Sequence, residues 1–111
     1  MSTKESIGMS PKKGRPIKPR MVRDEPETKQ FSPRGRVGRP GHRDLKCEEL
    51  EAIRLADFMG LNQKESAKRM SISQQTFSRV LKSGRKCLAE ALIKGEIIRI
   101  NGGDYKIAKR S

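Results

Sequence analysis

Gln75, Ser78, Arg79 and Lys82 recur at steps of three and four in this 111-residue chain, with Gln74 and Thr76 beside them. On a helix such steps share a face. Glutamine and arginine match the major-groove edges of adenine and guanine through paired hydrogen bonds, and serine and lysine bond phosphate oxygens. The set is a candidate surface for reading a duplex. An ordinary solvated helix face is the competing explanation for each residue taken singly. Taken together, they are constrained by the other side of the same stretch. Phe77, Val80, Leu81, Gly84, Leu88, Ala91 and Leu92 also step by three and four, forming an apolar stripe that dictates which side chains remain outside.

The elements that must position this face can be read from local signals. Ser73 is a natural N-cap for a helix running to Lys94, with Gly95 at the C′ position. The helix-start amides around Ser73 suit a phosphate. Upstream, Asn62 and Glu65 have capping-box spacing and open a short helix with Ala67 and Met70 on its apolar edge. Its Lys64 and Lys68, together with Lys82, suit backbone phosphates. Ser71-Ile72-Ser73 marks a tight turn between the two helices. A first helix is expected from near Leu45 to Gly60, capped by Asp44, with Glu48, Glu49 and Glu51 at its positive end. Leu50 and Phe58 fall outside its apolar stripe, which implies burial on more than one side or a chain–chain contact. A short helix, a tight turn and a long polar-faced helix together predict a helix-turn-helix.

The charge points to a polyanion. Lys and Arg total 26 against 13 Asp and Glu, a formal +13. Residues 1–46 carry 13 basic and 5 acidic side chains, so most of the excess precedes the helices. This segment is rich in Pro and Gly and is expected to be a largely extended or disordered arm over residues 1–43. Gly14-Arg15-Pro16 and Gly38-Arg39-Pro40 have the form of minor-groove inserts, with phosphate contact as the broader alternative. Arg15, Arg20, Arg36 and Arg39 are the arm's candidate contacts. Phe31 is either an anchor for the arm or a linker residue.

After Gly95, Glu96–Ile107 reads EIIRINGGDYKI, two β-prone runs around an Asn-Gly-Gly-Asp turn, which predicts a β-hairpin. The expected organisation is thus an arm at 1–43, a three-helix unit at 44–95 and a hairpin with a basic tail at 96–111. No apolar run is long enough for a spanning helix or a signal peptide, so a cytoplasmic, nucleoid-associated protein without a membrane partner is expected. Cys47, Cys87 and a lone His42 make neither a disulfide framework nor a metal quartet. No nucleophile with a base and no phosphate-cradling loop is evident, so no enzyme, cofactor or metal is expected.

The chain resembles a family of small uncharacterised prokaryotic proteins predicted to bind DNA, uncharacterised protein family number 251. The resemblance lies in GRPIKPR (14–20), Phe31-Ser32-Pro33, ELEAIRLADFMGLNQKESAKRMSISQQTFSRVL (49–81) and GEIIRINGG (95–103). The helix-turn-helix is similar to region 4 of bacterial sigma factors. Such families often carry glycine where this chain has Ser71. The resemblance implies a mainly α fold and a transcription-related role on double-stranded DNA. A non-specific architectural nucleic-acid binder is the alternative, as is a sigma-like adaptor contacting RNA polymerase. RNA ranks below duplex DNA because stacking aromatics are scarce. A homodimer is a further partner expectation.

Overall fold

The computed structural model describes residues 19–35 and 37–107. Three short strands come first: β1 (Arg20–Val22), β2 (Gln30–Phe31) and β3 (His42–Leu45). Three helices follow: α1 (Cys47–Ile53), running on into a π-helical turn over Arg54–Phe58, then α2 (Gln63–Arg69) and α3 (Gln74–Lys94). Two strands, β4 (Ile97–Ile100) and β5 (Tyr105–Ile107), close the described chain.

The hairpin expected at 96–107 does not form. β4 lies between β2, antiparallel, and β3, parallel, with Phe31 opposite Ile98 and Leu45 opposite Ile100. β5 pairs instead with β1, in parallel, with Met21 opposite Lys106. The reason lies in the Asn-Gly-Gly-Asp segment, whose backbone bonds go elsewhere. Asn101 N–H donates to the Leu45 carbonyl at 3.1 Å, and Cys47 N–H donates to the Gly102 carbonyl at 3.2 Å. Gly102 and Gly103 have φ of 72° and 104°, and they turn the chain from one sheet to the other.

The boundary expected at residue 43 is likewise no structural break. Residues 20–45 supply three of the five strands among the described residues, and Val22 and Leu45 are buried. Leu45 ends β3 and does not open a helix, so α1 starts two residues later than expected. Its cap position is Lys46, whose amide donates to Glu49 Oε1 at 3.0 Å. Asp44 lies in β3 and accepts from Asn101 Nδ2 at 3.4 Å. The helix ends at the expected place, with Gly60 at φ 74°.

The core has two parts joined through Ile53. One holds Ala52, Leu55, Ala67, Met70, Phe77, Val80 and Leu81 between α1, α2 and the first half of α3. The other holds Leu45, Cys47, Ala91, Ile98 and Ile100 between the second half of α3 and the sheet, with Leu50 packed against it. That accounts for Leu50 lying outside the stripe. Phe58 is 85% exposed. Leu92, expected on the buried stripe, is 74% exposed because β4 covers Ala91 and nothing described covers the next position.

Glu48, Glu49 and Glu51 are buried, and each fastens a neighbour in addition to sitting at a helix start. Glu48 accepts the Asp104 amide at 3.1 Å, and Glu51 the Arg23 amide at 3.3 Å. Glu49 accepts the Ser83 hydroxyl, tying α1 to α3. Where these helices cross, a Cβ added at Gly84 would stand 3.0 Å from Glu49 Cβ and 3.1 Å from Ile53 Cδ1. Only glycine allows so close an approach.

Candidate nucleic-acid interface

Two short-range caps hold the α2–α3 unit in shape. Asn62 Oδ1 accepts the Glu65 amide at 2.8 Å, and Ser73 Oγ accepts the Thr76 amide at 3.0 Å. The expected return of the Glu65 carboxylate to close a capping box is replaced by a pair with Arg69 at 3.0 Å. Between the helices, Ser71 takes φ 57°, the one left-handed non-glycine residue among those described. Ser71 N–H donates to the Lys68 carbonyl and Ile72 N–H to the Ala67 carbonyl, both at 3.1 Å. Those two bonds are a Schellman motif with serine at the position glycine usually takes.

The rotation of α3 about its axis is set by Phe77, Val80 and Leu81, all buried against Ala67, Met70 and Leu55. In consequence Gln74, Gln75, Ser78, Arg79 and Lys82 are all exposed. Lys64 and Lys68 are exposed on α2. Thr76 is placed differently. It is half-buried, and its Oγ1 accepts from Ser73 Oγ at 3.0 Å, so its hydroxyl belongs partly to the cap. Ser73 is exposed at the helix start. No acidic residue occurs in α3 before Glu90, so its first four turns carry only positive and neutral side chains.

Sequence patterning passed over Arg85, one turn beyond Lys82 on the exposed side. Its Nη2 and Nε bind Asp57 Oδ1 and Oδ2 at 2.6 and 3.1 Å. The guanidinium holds the Asp57 carboxyl below its usual range, and the carboxylate raises Arg85 in return. The step of three from Lys82 was the available signal, but nothing local indicates that the π-turn brings Asp57 alongside.

The arm residues are divided. Arg15 and Arg36 lie outside the described residues. Arg39 is exposed. Arg20 is half-buried in β1, with its amide donating to the Asp104 carbonyl at 2.9 Å. The next residue ties that strand to the candidate face: Met21 N–H donates to the Met70 carbonyl at 3.0 Å, at the end of α2. Part of the basic excess is also structural. Arg43 bonds Glu90 and Glu96, both at 2.7 Å, and its pKa is raised chiefly by the hydrogen bond to Glu96.

Both cysteines are thiols; Cys47 is buried, and burial pushes the half-buried Cys87 up. No helix among the described residues is long and apolar enough to cross a membrane.

A family model described as "Protein of unknown function DUF134" matches residues 9–108. The chain is 48% identical over 96 residues to a UPF0251 protein of Halothermothrix orenii, spanning 86% of this chain and 71% of that one. It is 48% identical over 97 residues to a UPF0251 protein of Caldicellulosiruptor saccharolyticus, spanning 87% and 68%. A UPF0251 protein of Methanococcus maripaludis is 45% identical over 97 residues, spanning 86% and 75%. No solved structure matches the chain.

Proposed function

The chain belongs to the DUF134 family, and we propose that it is a duplex-DNA-binding regulator of transcription that places α3 in the major groove. The observation that carries this is the division of α3. Gln74, Gln75, Ser78, Arg79 and Lys82 are outside while Phe77, Val80 and Leu81 are locked inside. In this reading α2, the left-handed turn at Ser71 and α3 form a helix-turn-helix resembling that of sigma region 4.

A helix about 10–12 Å across fits a major groove about 12 Å wide. Gln75 pairs with adenine N6 and N7, and Arg79 with guanine O6 and N7. Each such pair supplies about 1–3 kcal/mol of discrimination. Gln74 and Ser78 reach adjacent edges, and Thr76 is a lesser contact because the cap engages its hydroxyl. Lys64, Lys68, Lys82 and the amides at Ser73 bind phosphates. The basic N-terminal segment adds sequence-independent affinity, which would keep such a protein with the nucleoid.

Selection of bound duplexes from a random pool, at stated salt, tests this. Arg79→Ala should relax preference at one base position. Lys68→Ala should weaken all sequences alike and reduce the salt slope by about 1. Unchanged low-salt affinity in both variants would sink the docking, and a pool without enrichment would favour an architectural role.

A second reading, contact with the transcription machinery, draws on one observation. Phe58 and Met59 are exposed at the corner made by the π-turn. An aromatic and a thioether on a rigid corner suit a protein partner.

A further inference from the structure

We infer that the far end of α3, with β2 beside it, is the surface through which two copies of this chain pair about a two-fold axis. The inference rests on α3 reading DNA as proposed above.

Leu92 and Ile93, on the last turns of α3, are 74% and 87% exposed, and Phe31 on β2 is 54% exposed. Leu92 and Phe31 flank one depression of about 170 Å³, with Pro33, Ala91 and Ile98 also lining it. Small-molecule sites run to roughly 300–1,000 Å³, so the hollow suits a single apolar side chain better than an effector. β2 is an outer strand of only two residues, too short an edge for strand addition. The contact is therefore one of side chains.

The rest of this chain is a poor occupant. The described N-terminal end is held at Met70 by Met21, and eighteen residues precede it, a length able to reach Leu92, so their chemistry decides. The residues preceding it, MSTKESIGMSPKKGRPIK, carry five cations and no apolar run. A second copy offers what the patch needs, because an apolar surface is complementary to itself under two-fold symmetry. The formal +13 on each chain opposes pairing in low salt, so the contact is expected to tighten as salt rises.

Spacing favours the same occupant. Leu92 is fourteen positions beyond Ser78, about 21 Å along the helix at 1.5 Å per residue. Dimers that read successive major grooves need their reading helices roughly 34–36 Å apart, so each lies about 17–18 Å from the axis. The helical distance exceeds the roughly 17–18 Å requirement, so a helix oblique to the line joining the half-sites meets both. The distance from Ser78 to the patch is thus compatible with a dyad between half-sites one DNA turn apart.

The test compares the full chain with the double variant Leu92→Asp and Ile93→Asp, both changes at exposed positions and checked by circular dichroism. Sedimentation equilibrium in high salt, without DNA, should give the wild-type chain twice the mass of the variant. Selection from a random pool should give inverted repeats one turn apart for the wild type and a single half-site for the variant. A wild-type chain that is monomeric both free and on duplex, or a double variant that stays dimeric, would overturn the pairing. If no duplex is enriched, the DNA reading fails while the mass measurement still decides the dimer.

Discussion

Ile72 N–H donates to the Ala67 carbonyl at 3.1 Å across a turn whose middle residue, Ser71, is held at φ 57°. The bond can close only if that residue is left-handed, a conformation that disfavours a side chain bearing Cβ by about 1–2 kcal/mol. Ser71 is exposed, so its side chain gives little back. Glycine removes the strain and adds unfolded-state entropy of about 0.4–1 kcal/mol. Ser71→Gly is therefore expected to stabilise the fold by about 0.5–1 kcal/mol, a rise of several degrees in Tm. Ser71→Val should lower Tm. A glycine variant that melts earlier than wild type would show that the serine is not strained.

Gly84 is the opposite case, a glycine required by contact and not by its backbone angle. Its missing Cβ leaves room for Glu49 Cβ and Ile53 Cδ1, and the Glu49 carbonyl would also lie within 3.2 Å. Because one of these neighbours is backbone, α1 itself must shift to admit a methyl. Gly84→Ala gains helix propensity of about 1 kcal/mol and loses about 1–3 kcal/mol to overpacking. Net destabilisation is expected in urea melts, and Gly84→Leu should not fold. An alanine variant more stable than wild type would refute the close crossing.

These two sites show why part of the molecule is legible in its sequence and part is not. Caps at Asn62 and Ser73, the buried faces of Phe77 to Leu81 and the stop at Gly95 depend on neighbours within four or five residues. Periodicity and cap chemistry carry them. Strand pairing is another matter. β1 meets β5, and β3 meets β4, across more than fifty intervening residues, and nothing local in RMV or HRDL names a partner. Composition misled for the same reason: a Pro-rich basic segment reads as an arm until Val22 is seen in the core and β1 and β2 in the sheets. The glutamates of α1 match a helix dipole equally well whether exposed or buried, so their bonds to Arg23, Ser83 and Asp104 were invisible. For the candidate face, exposure of Gln75 and Arg79 followed from the stripe, while the engagement of Thr76 by Ser73 and of Arg85 by Asp57 required the structure.

The Asp57–Arg85 pair should leave a mark on the pH dependence of stability. Arg85 depresses the folded-state pKa of Asp57 below the ordinary 3.8, mainly by direct hydrogen bonding. A depressed carboxylate contributes stability that is present above the unfolded pKa and fades as pH falls through the lower folded value. Both side chains are about half exposed, so solvent screening keeps the effect under about 1 kcal/mol. Asp57→Asn should thus melt slightly earlier than wild type at neutral pH, with the gap closing below about pH 4 and in high salt. A gap that persists at low pH would mean the asparagine acts through packing at the π-turn.

Truncation can separate the contribution of the basic segment from that of α3, provided the cut respects the strands. Removing residues 1–43 would delete β1, β2 and the first half of β3, leaving β5 without its partner and β4 beside only Asp44 and Leu45. Loss of DNA binding after such a cut would report unfolding. A cut before Pro19 keeps Met21 on Met70 and every described strand. It removes Lys4, Lys12, Lys13, Arg15 and Lys18 against a single acid, Glu5. At about 0.9 per neutralised phosphate, the slope of log affinity against log salt should fall by up to about 4. The melting temperature should stay near that of the full chain. Sequence preference should also survive, because Gln75 and Arg79 are untouched. If preference disappears along with affinity, recognition resides in the first eighteen residues and α3 is not the reading helix.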